Sequence, residues 1–580
     1  MNHPLDEAQL RRGQFHFLMA RAPNRVFLSI LAAIVGGVAH ALLIPLLLVS
    51  IAPAQPLLAG FIDEHKVVLL GWEVTQPRFA LAFLALCAVV VVSKAMAQNV
   101  FSSVLIESAS ALRLFFAERI RTLPIRQLEQ IGSTRLVTAI NVDVASLMEG
   151  AASLPVMIIN ASTIVGALAY IAFLHDKIFW MVLAVIVLGV ASYRLPLVFG
   201  ARYFTRARPL RDAIQESIGA QVFGAKELRL NAARHADFME QGMARDERRL
   251  VGLLDRGYTV FHLAIQYGNV IGFLAIGAIA YAATGRYELA PTLLLSVVMA
   301  LLYVIGPISV IVNSVPGLIQ GAVALRQLRA LLADMPVEGI AEGGAPLACP
   351  RLRLRQVAYR YAGQDGFGVG PLSLTLEAGQ VTYIIGGNGS GKSTLAKIIS
   401  CHYTASAGQV LFGDTAVTDA TLFRARQAIS AIYLDFYLFG QLYGIGPEAQ
   451  ARAQDYLERL GLAHKVGLEN GRFSTLALSA GQRKRLALLV ALLEDRQVYV
   501  FDEWAADQDP EFKYEFYHVL LDDLRRRGKV VVVISHDERY FGQADQLVWM
   551  EHGKLVRVEQ REHGVRGPGQ EPEYDILTGA

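Results

Sequence analysis

The residues most able to do chemistry lie together in Gly386–Gly387–Asn388–Gly389–Ser390–Gly391–Lys392–Ser393–Thr394, which reads G-x-x-x-x-G-K-S. Val381–Ile385 before it is apolar and β-branched enough for a buried strand, and Leu395–Ile399 after it continues as a helix. A glycine-rich loop between such elements turns its backbone N–H groups toward phosphate oxygens, and the helix N-terminus adds partial positive charge. The loop from Gly386 to Thr394 is therefore a nucleoside-triphosphate site. Lys392 is placed to reach the β- and γ-phosphates, and the Ser393 hydroxyl to ligate Mg²⁺.

Other residues supply what hydrolysis needs. The apolar strand Val498–Phe501 ends in Asp502–Glu503. Asp502 is placed to hold Mg²⁺ through water, and Glu503 to orient or deprotonate the attacking water. A second apolar strand, Val530–Ile534, ends in Ser535–His536–Asp537, which puts His536 near the γ-phosphate. Leu478–Ser479–Ala480–Gly481–Gln482 opens a basic helical run, and Tyr361 in the strand pattern 357–361 can stack on adenine.

These elements need an α/β core, and the region after Leu331 provides one. Residues 332–350, rich in Gly and Pro, read as a linker, residues 351–560 as the ATP-binding domain and 561–580 as a tail. The first 331 residues are of another kind. Six apolar segments, at about 26–51, 79–104, 152–174, 178–200, 258–283 and 292–316, are each near the ~20 residues a spanning helix needs. The fold class expected is a multi-domain membrane protein, with a six-helix transmembrane domain ahead of an α/β P-loop cassette. The first apolar run is too long for a cleaved signal peptide, so its span is retained.

Charge orients the spans. Arg11, Arg12, Arg21 and Arg25, five arginines after span two and eleven basic residues between Arg202 and Arg256 make twenty on one side. Lys66, Arg78, Lys177 and Arg286 are the four opposite. The N-terminus, both long connections and the ATP-binding domain therefore belong in the cytoplasm. The third and fourth spans are joined by a tight His175–Asp176–Lys177 loop. The long connections read as charged helices that continue the spans, with breaks at Leu123–Pro124, Ile131–Gly132 and Val222–Phe223–Gly224 where a short transverse helix would fit.

A net charge of +3, with the arginines beside spans rather than along one soluble face, gives no support for nucleic acid as a partner. Cys87, Cys349 and Cys401 stand apart, with no disulfide or zinc spacing. Among the polar residues inside the spans are Lys94, Gln98 and Asn99 in the second, and His262, Gln266 and Asn269 on one face of the fifth. They either line a substrate cavity or join helices by hydrogen bonds.

Taken together, the P-loop, L-S-A-G-Q, the Asp502–Glu503 pair and I-S-H-D in this order behind six spans resemble an ABC transporter of the exporter type, over nearly all of the 580 residues. The runs L-S-A-G-Q-R-K-R-L-A-L-L, F-D-E-W-A-A-D-Q-D-P-E-F and I-S-H-D-E-R-Y-F, with Phe223–Leu228, are similar to exporters of cyclic peptides and siderophore precursors. The resemblance implies a bacterial inner-membrane protein that hydrolyses ATP with Mg²⁺ and works as a homodimer. Ser479, Gly481 and Gln482 would then form a signature loop closing on ATP held by the second copy, Asp509 would be the D-loop aspartate, and His536 the switch histidine. The cargo implied is an amphipathic peptide or siderophore-like molecule. Uptake of a metal–siderophore complex and lipid flipping share every motif, whereas a soluble ribosome-bound relative is opposed by the six spans. The sequence departs from the family pattern at Ala480 in the signature, at Trp504–Ala505–Ala506 after the catalytic pair, and at Leu434 where the family places a Mg²⁺-contacting glutamine. It carries no N-terminal cysteine-protease domain, so leader-peptide cleavage is not expected of it.

Overall fold

A computed structural model describes residues 19, 21–51, 66–69, 72–75, 77–283, 290–339, 343–361 and 367–561. Arg11, Arg12, Arg286 and the predicted tail from residue 562 onward lie outside the described residues. The chain forms two compact units. One is Met1–Ala117 with Thr134–Ala333, and the other is Glu118–Ser133 with Asp334–Ala580.

The first unit is built from long helices because its sequence offers long apolar runs, and in lipid a helix satisfies its own backbone polar groups. They are α1 (Pro23–Ile51), α2 (Pro77–Arg121), α4 (Ser133–Leu174), α5 (Asp176–Phe223), α7 (Ala244–Gly277) and α8 (Pro291–Ala333). Short helices α3 (Ile125–Ile131), which belongs to the second unit, and α6 (Ala225–Leu230) follow α2 and α5, and a hairpin of β1 (Lys66–Leu69) and β2 (Trp72–Thr75) precedes α2. All six apolar segments fall on the long helices. Among the described residues, α1, α2, α4 and α8 are long and apolar enough to cross a membrane by length and composition. The fourth and fifth segments lie on α5 and on α7 with the π-turn Ala278–Ala283 that continues it.

Glycines let these helices approach closely. A Cβ on Gly37 of α1 would sit 2.4 Å from the Ile159 carbonyl oxygen of α4, and one on Gly150 of α4 would sit 2.7 Å from the Gly317 oxygen of α8. Thr163 donates across the first of these crossings to the Gly37 carbonyl at 3.1 Å. Without a hydrophobic drive between helices in lipid, such close backbone contact and interhelical hydrogen bonding hold a bundle together.

The loop expected at His175–Asp176–Lys177 is tighter than predicted. Only His175 is extended (φ −164°, ψ 116°), and α5 begins at Asp176. An aspartate at a helix N-terminus is stabilised by the helix dipole, so the helix starts where a purely polar loop had been read.

In the second unit, β3 (Arg351–Arg360), β4 (Gly368–Glu377), β6 (Ala407–Phe412) and β7 (Thr415–Ala416) form an antiparallel sheet in the order β4-β3-β6-β7. A six-stranded sheet contains β5 (Gln380–Ile385), β8 (Ile429–Ile432), β9 (Val498–Asp502), β10 (Val530–Ile534), β11 (Gln546–Glu551) and β12 (Lys554–Gln560). Its order is β12-β11-β5-β10-β9-β8, parallel except for the β11/β12 edge. The central strands are buried on both faces, which is why they read as continuous apolar runs. Val498, Val500, Val530 and Val532 enter one core, and Tyr499, Phe501, Val531 and Val533 enter the other.

Candidate functional site

Register places the chemistry. Ile384 of β5, Ile534 of β10 and Asp502 of β9 are paired in one row across the parallel sheet. The residues that follow them, the glycine-rich loop, Ser535–His536 and Glu503, therefore leave the sheet at the same edge. This is the carboxyl edge, where ligands of open α/β sheets bind.

The loop turns from β5 into helix α9 (Lys392–Ile399) through Gly386, Gly389 and Gly391 at φ 158°, 76° and 99°. Gly391 needs the left-handed region as it caps α9, and a Cβ on Gly386 would meet the Met550 carbonyl oxygen at 2.2 Å. Asn388 and Gly389 are exposed at the loop tip. The buried Lys392 ammonium folds back to donate to the Gly386 and Gly387 carbonyls at 2.8 and 2.9 Å. Burial holds its pKa below the ordinary lysine range, against the opposing pull of Glu503 and Asp502. The Ser390 hydroxyl is buried with no hydrogen-bond partner. A cationic lysine bonded only to loop carbonyls and an orphaned buried hydroxyl fit a phosphate chain passing through this loop.

Asp502 is buried, and its carboxyl accepts a hydrogen bond from Ser393. Burial raises its pKa, with Glu503 and Asp435 adding to the rise, while Ser393 and Lys392 oppose it. A hydroxyl and a buried carboxylate in contact are the oxygen donor set that Mg²⁺ accepts alongside phosphate and water. Leu434 is 59% exposed, and the neighbouring Asp435 is, with Glu503, an acid within electrostatic reach of Asp502.

Glu503 is held in the left-handed region at φ 49°, where its N–H donates to the Ile534 carbonyl at 3.1 Å. Its carbonyl accepts from the buried Lys484 at 3.0 Å, and its Oε1 lies 3.2 Å from Nε2 of His536. The structure thus brings Lys392, Asp502, Glu503 and His536 to one edge. Tyr361 is there too: its hydroxyl is 2.9 Å from that of Thr394 on α9, and its ring stands edge-on to Tyr359 and Tyr403.

The signature residues sit elsewhere. Ser479 caps helix α10 (Ala480–Glu494) in a reciprocal box with Gln482, at 3.4 and 3.2 Å, and is itself exposed. Among the described residues no hydrogen bond or ion pair joins 478–482 to 386–394. The signature helix is tied instead to the segment after Glu503. Gln508 donates to the Gly481 carbonyl at 3.1 Å, and a Cβ on Gly481 would come within 2.8 Å of the Asp507 oxygen. Arg485 binds Gln508 and Asp509 and lies 3.9 Å over the Phe512 ring. Asp509 caps the next helix by accepting from the Phe512 N–H at 2.8 Å, which with Arg485 holds its pKa below the usual carboxylate range.

Two features escaped sequence reasoning. Trp504, noted as a departure, is a core residue: it is 1% exposed, stacks on Phe516 at 4.4 Å and donates from Nε1 to the Lys484 carbonyl at 2.9 Å. It anchors α10 beneath the catalytic strand. The second is α3, which belongs to the same unit as the cassette. Its Glu129 accepts from Lys397 Nζ on α9 at 2.7 Å and from Tyr403 at 2.5 Å, and Arg126 lies 5.5 Å over the Tyr359 ring. The breaks at Pro124 and Gly132 predicted a short helix here, and nothing in the sequence named its partners.

A phosphate cradle and an acidic pair on one parallel sheet edge, carried behind long apolar helices, define an ATP-binding cassette fused to a membrane-spanning helical unit. The chain belongs to the ABC transporter family. Residues 369–506 match the ABC transporter domain. The ATP-binding protein SyrD of Pseudomonas syringae pv. syringae is 34% identical over 77% of this chain and 82% of its own length. An ATP-dependent lipid A-core flippase of Albidiferax ferrireducens is 25% identical over 77% of this chain and 79% of its own. The fold is that of a solved bacterial Atm1-family ABC exporter with ATP bound (TM-score 0.71, 19% identity, 94% and 96% of the two chains covered). The protein binds ATP and couples its hydrolysis to transport.

Proposed function

We propose that two copies of this chain form an exporter in the bacterial inner membrane, cassettes in the cytoplasm, that moves an amphipathic peptide, lipopeptide or siderophore precursor outward. The observation that carries the dimer is the separation within one chain of the phosphate cradle from the exposed Ser479 cap. A signature loop unlinked to its own P-loop suits a site closed by a second copy. Phe223 and Leu230, each 89% exposed at the tip of the second cytoplasmic connection, suit cover by the same partner.

In this reading Gly386–Thr394 grips the triphosphate, and the Tyr361 ring packs on adenine once its position beside Thr394 is taken up. Ser393 and Asp502 would hold Mg²⁺, which neutralises phosphate charge. Lys392 exchanges its loop carbonyls for β- and γ-phosphate oxygens. Glu503 removes the proton of the attacking water, and His536, 3.2 Å away, fixes the orientation of its carboxylate. Ser479, Gly481, Gln482 and Asp509 act on the partner's nucleotide. ATP drives the cycle only through binding the closed pair more tightly than the open one.

The relationship to lipid A-core flippases supports a second reading, in which the amphipathic cargo is a membrane lipid. Both readings need the composite site, and complementation tests it. Lys392→Ala and Ser479→Arg homodimers should each lose ATPase activity. A co-assembled heterodimer, which retains one intact composite site, should recover a measurable part of it. Heterodimers that form and recover none would overturn the shared-site reading.

A further inference from the structure

The cassette accounts for the motifs but leaves a charged cluster inside the membrane unit unexplained. Lys94 of α2 lies 2.9 Å from Nδ1 of His40 on α1. Tyr303 of α8 donates its hydroxyl to the His40 carbonyl at 2.8 Å and packs edge-on against the His40 ring at 5.1 Å. Three helices thus converge on one point, and all three residues are half-buried.

Their depth agrees. Lys94 is 15 residues past Phe79 and 10 before Val104 at the limits of its apolar segment. That is about 22 Å and about 15 Å along a helix, close to mid-span. His40 and Tyr303 are likewise near the centres of segments 26–51 and 292–316. Gly36 makes the approach possible, because a Cβ there would meet Ser93 Oγ at 2.8 Å and Lys94 Cγ at 3.2 Å.

An ammonium has three donors, and the His40 ring nitrogen takes one of them. No carboxylate takes another: among the described residues no acid lies within ion-pair range of Lys94, and none of the six apolar segments contains an Asp or Glu. A lysine at mid-span is costly unless it faces a cavity and finds an anion. Among the described residues, the cationic half of a pair stands at mid-span with no anionic half beside it.

We propose that Lys94, positioned by His40 and Tyr303, is the recognition point for an anionic group on the transported molecule, a carboxylate in the case of a peptide cargo. This deepens the exporter reading and rests on it. His40 Nδ1 accepts a hydrogen bond from the Lys94 ammonium, which leaves two N–H donors for carboxylate oxygens.

The test uses the full chain in phosphatidylcholine nanodiscs, with a tritiated palmitoyl-dipeptide bearing a free carboxylate and the same molecule as its amide. Wild type should bind the acid at least about tenfold more tightly than the amide, the size of a hydrogen bond to a charged group. Lys94→Met should erase that preference while leaving the amide affinity in place, which controls for folding, and Lys94→Arg should keep it. Equal binding of acid and amide by wild type, or a preference that survives Lys94→Met, overturns the proposal and leaves the exporter reading standing. If neither peptide binds but labelled phosphatidylglycerol is held over phosphatidylcholine by wild type and not by Lys94→Met, the anion site stands with a lipid headgroup in it and the peptide-cargo reading falls. If no probe is held according to its charge, the assignment of Lys94 is wrong.

Discussion

Replacing Glu129 with alanine removes the bonds of α3 to Lys397 and Tyr403 of the cassette without touching a residue of the ATP site. Two interactions are lost. The Lys397–Glu129 pair is part-exposed, with side chains 23% and 39% accessible, so its value is close to the surface figure of about 0.5 kcal/mol. The Tyr403 hydroxyl lies on a buried ring and donates to a carboxylate, worth about 1.5 kcal/mol. Together they amount to about 2 kcal/mol, or roughly 30-fold in the docking equilibrium of α3. Deuterium exchange at the 125–131 amides should quicken by about that factor in Glu129→Ala. Stimulation of ATPase activity by cargo should fall while unstimulated turnover persists. Glu129→Gln, which still accepts from Tyr403, should lie between the two. In a double-mutant cycle with Tyr403→Phe the losses should be less than additive, since both changes break the same bond. Unchanged exchange at 125–131 together with unchanged stimulation in Glu129→Ala would refute the reasoning.

Other expectations concern the cassette's stability. Trp504→Ala should cost the cassette about 3–5 kcal/mol by leaving a cavity under α10, whereas Trp504→Phe should lose mainly the hydrogen bond, about 1 kcal/mol; chemical denaturation of the purified protein measures both. Burial, reinforced by Arg426 and Lys397, pushes His402 from an ordinary 6.5 down to about 4. Within that window the unfolded chain takes up a proton that the folded cassette refuses, so stability is complete above 6.5 and falls as pH drops toward 4. The loss reaches up to about 3 kcal/mol. Melting curves across this range should flatten in His402→Gln, and an unchanged slope would contradict the assignment. Leu434→Gln should lower the Mg²⁺ concentration needed for half-maximal ATPase activity if the native position leaves a ligand site open; an unchanged requirement would mean that Asp435 or water already fills it.

What the sequence made legible was local. The glycine-rich loop, the Asp502–Glu503 strand end and His536 were readable because each carries its chemistry in a few adjacent residues flanked by an apolar strand. Their convergence follows from parallel register, which puts Ile384, Ile534 and Asp502 in one row. The contacts that escaped are those between distant residues. Glu129 and Lys397 are 268 positions apart, and Lys94 and His40 are 54. No periodicity links such pairs; each becomes a partner only after helices have packed. Trp504 was visible as an exception to a pattern, but its role came from the Lys484 carbonyl it faces and the Phe516 ring it covers. The His175 turn was read one or two residues too long because Asp176 suits a helix start as well as a loop.

The central claim, that ATP turnover at the Lys392–Asp502–Glu503 edge drives outward movement of an amphipathic cargo, is tested most directly by transport into inside-out membrane vesicles, whose cassettes face the medium. With Mg·ATP supplied outside, wild-type vesicles should accumulate a labelled acylated peptide. Glu503→Gln vesicles should bind ATP yet accumulate none, as should wild type given a non-hydrolysable analogue. ATP-driven loss of preloaded peptide, or accumulation that proceeds equally in Glu503→Gln, would contradict the account.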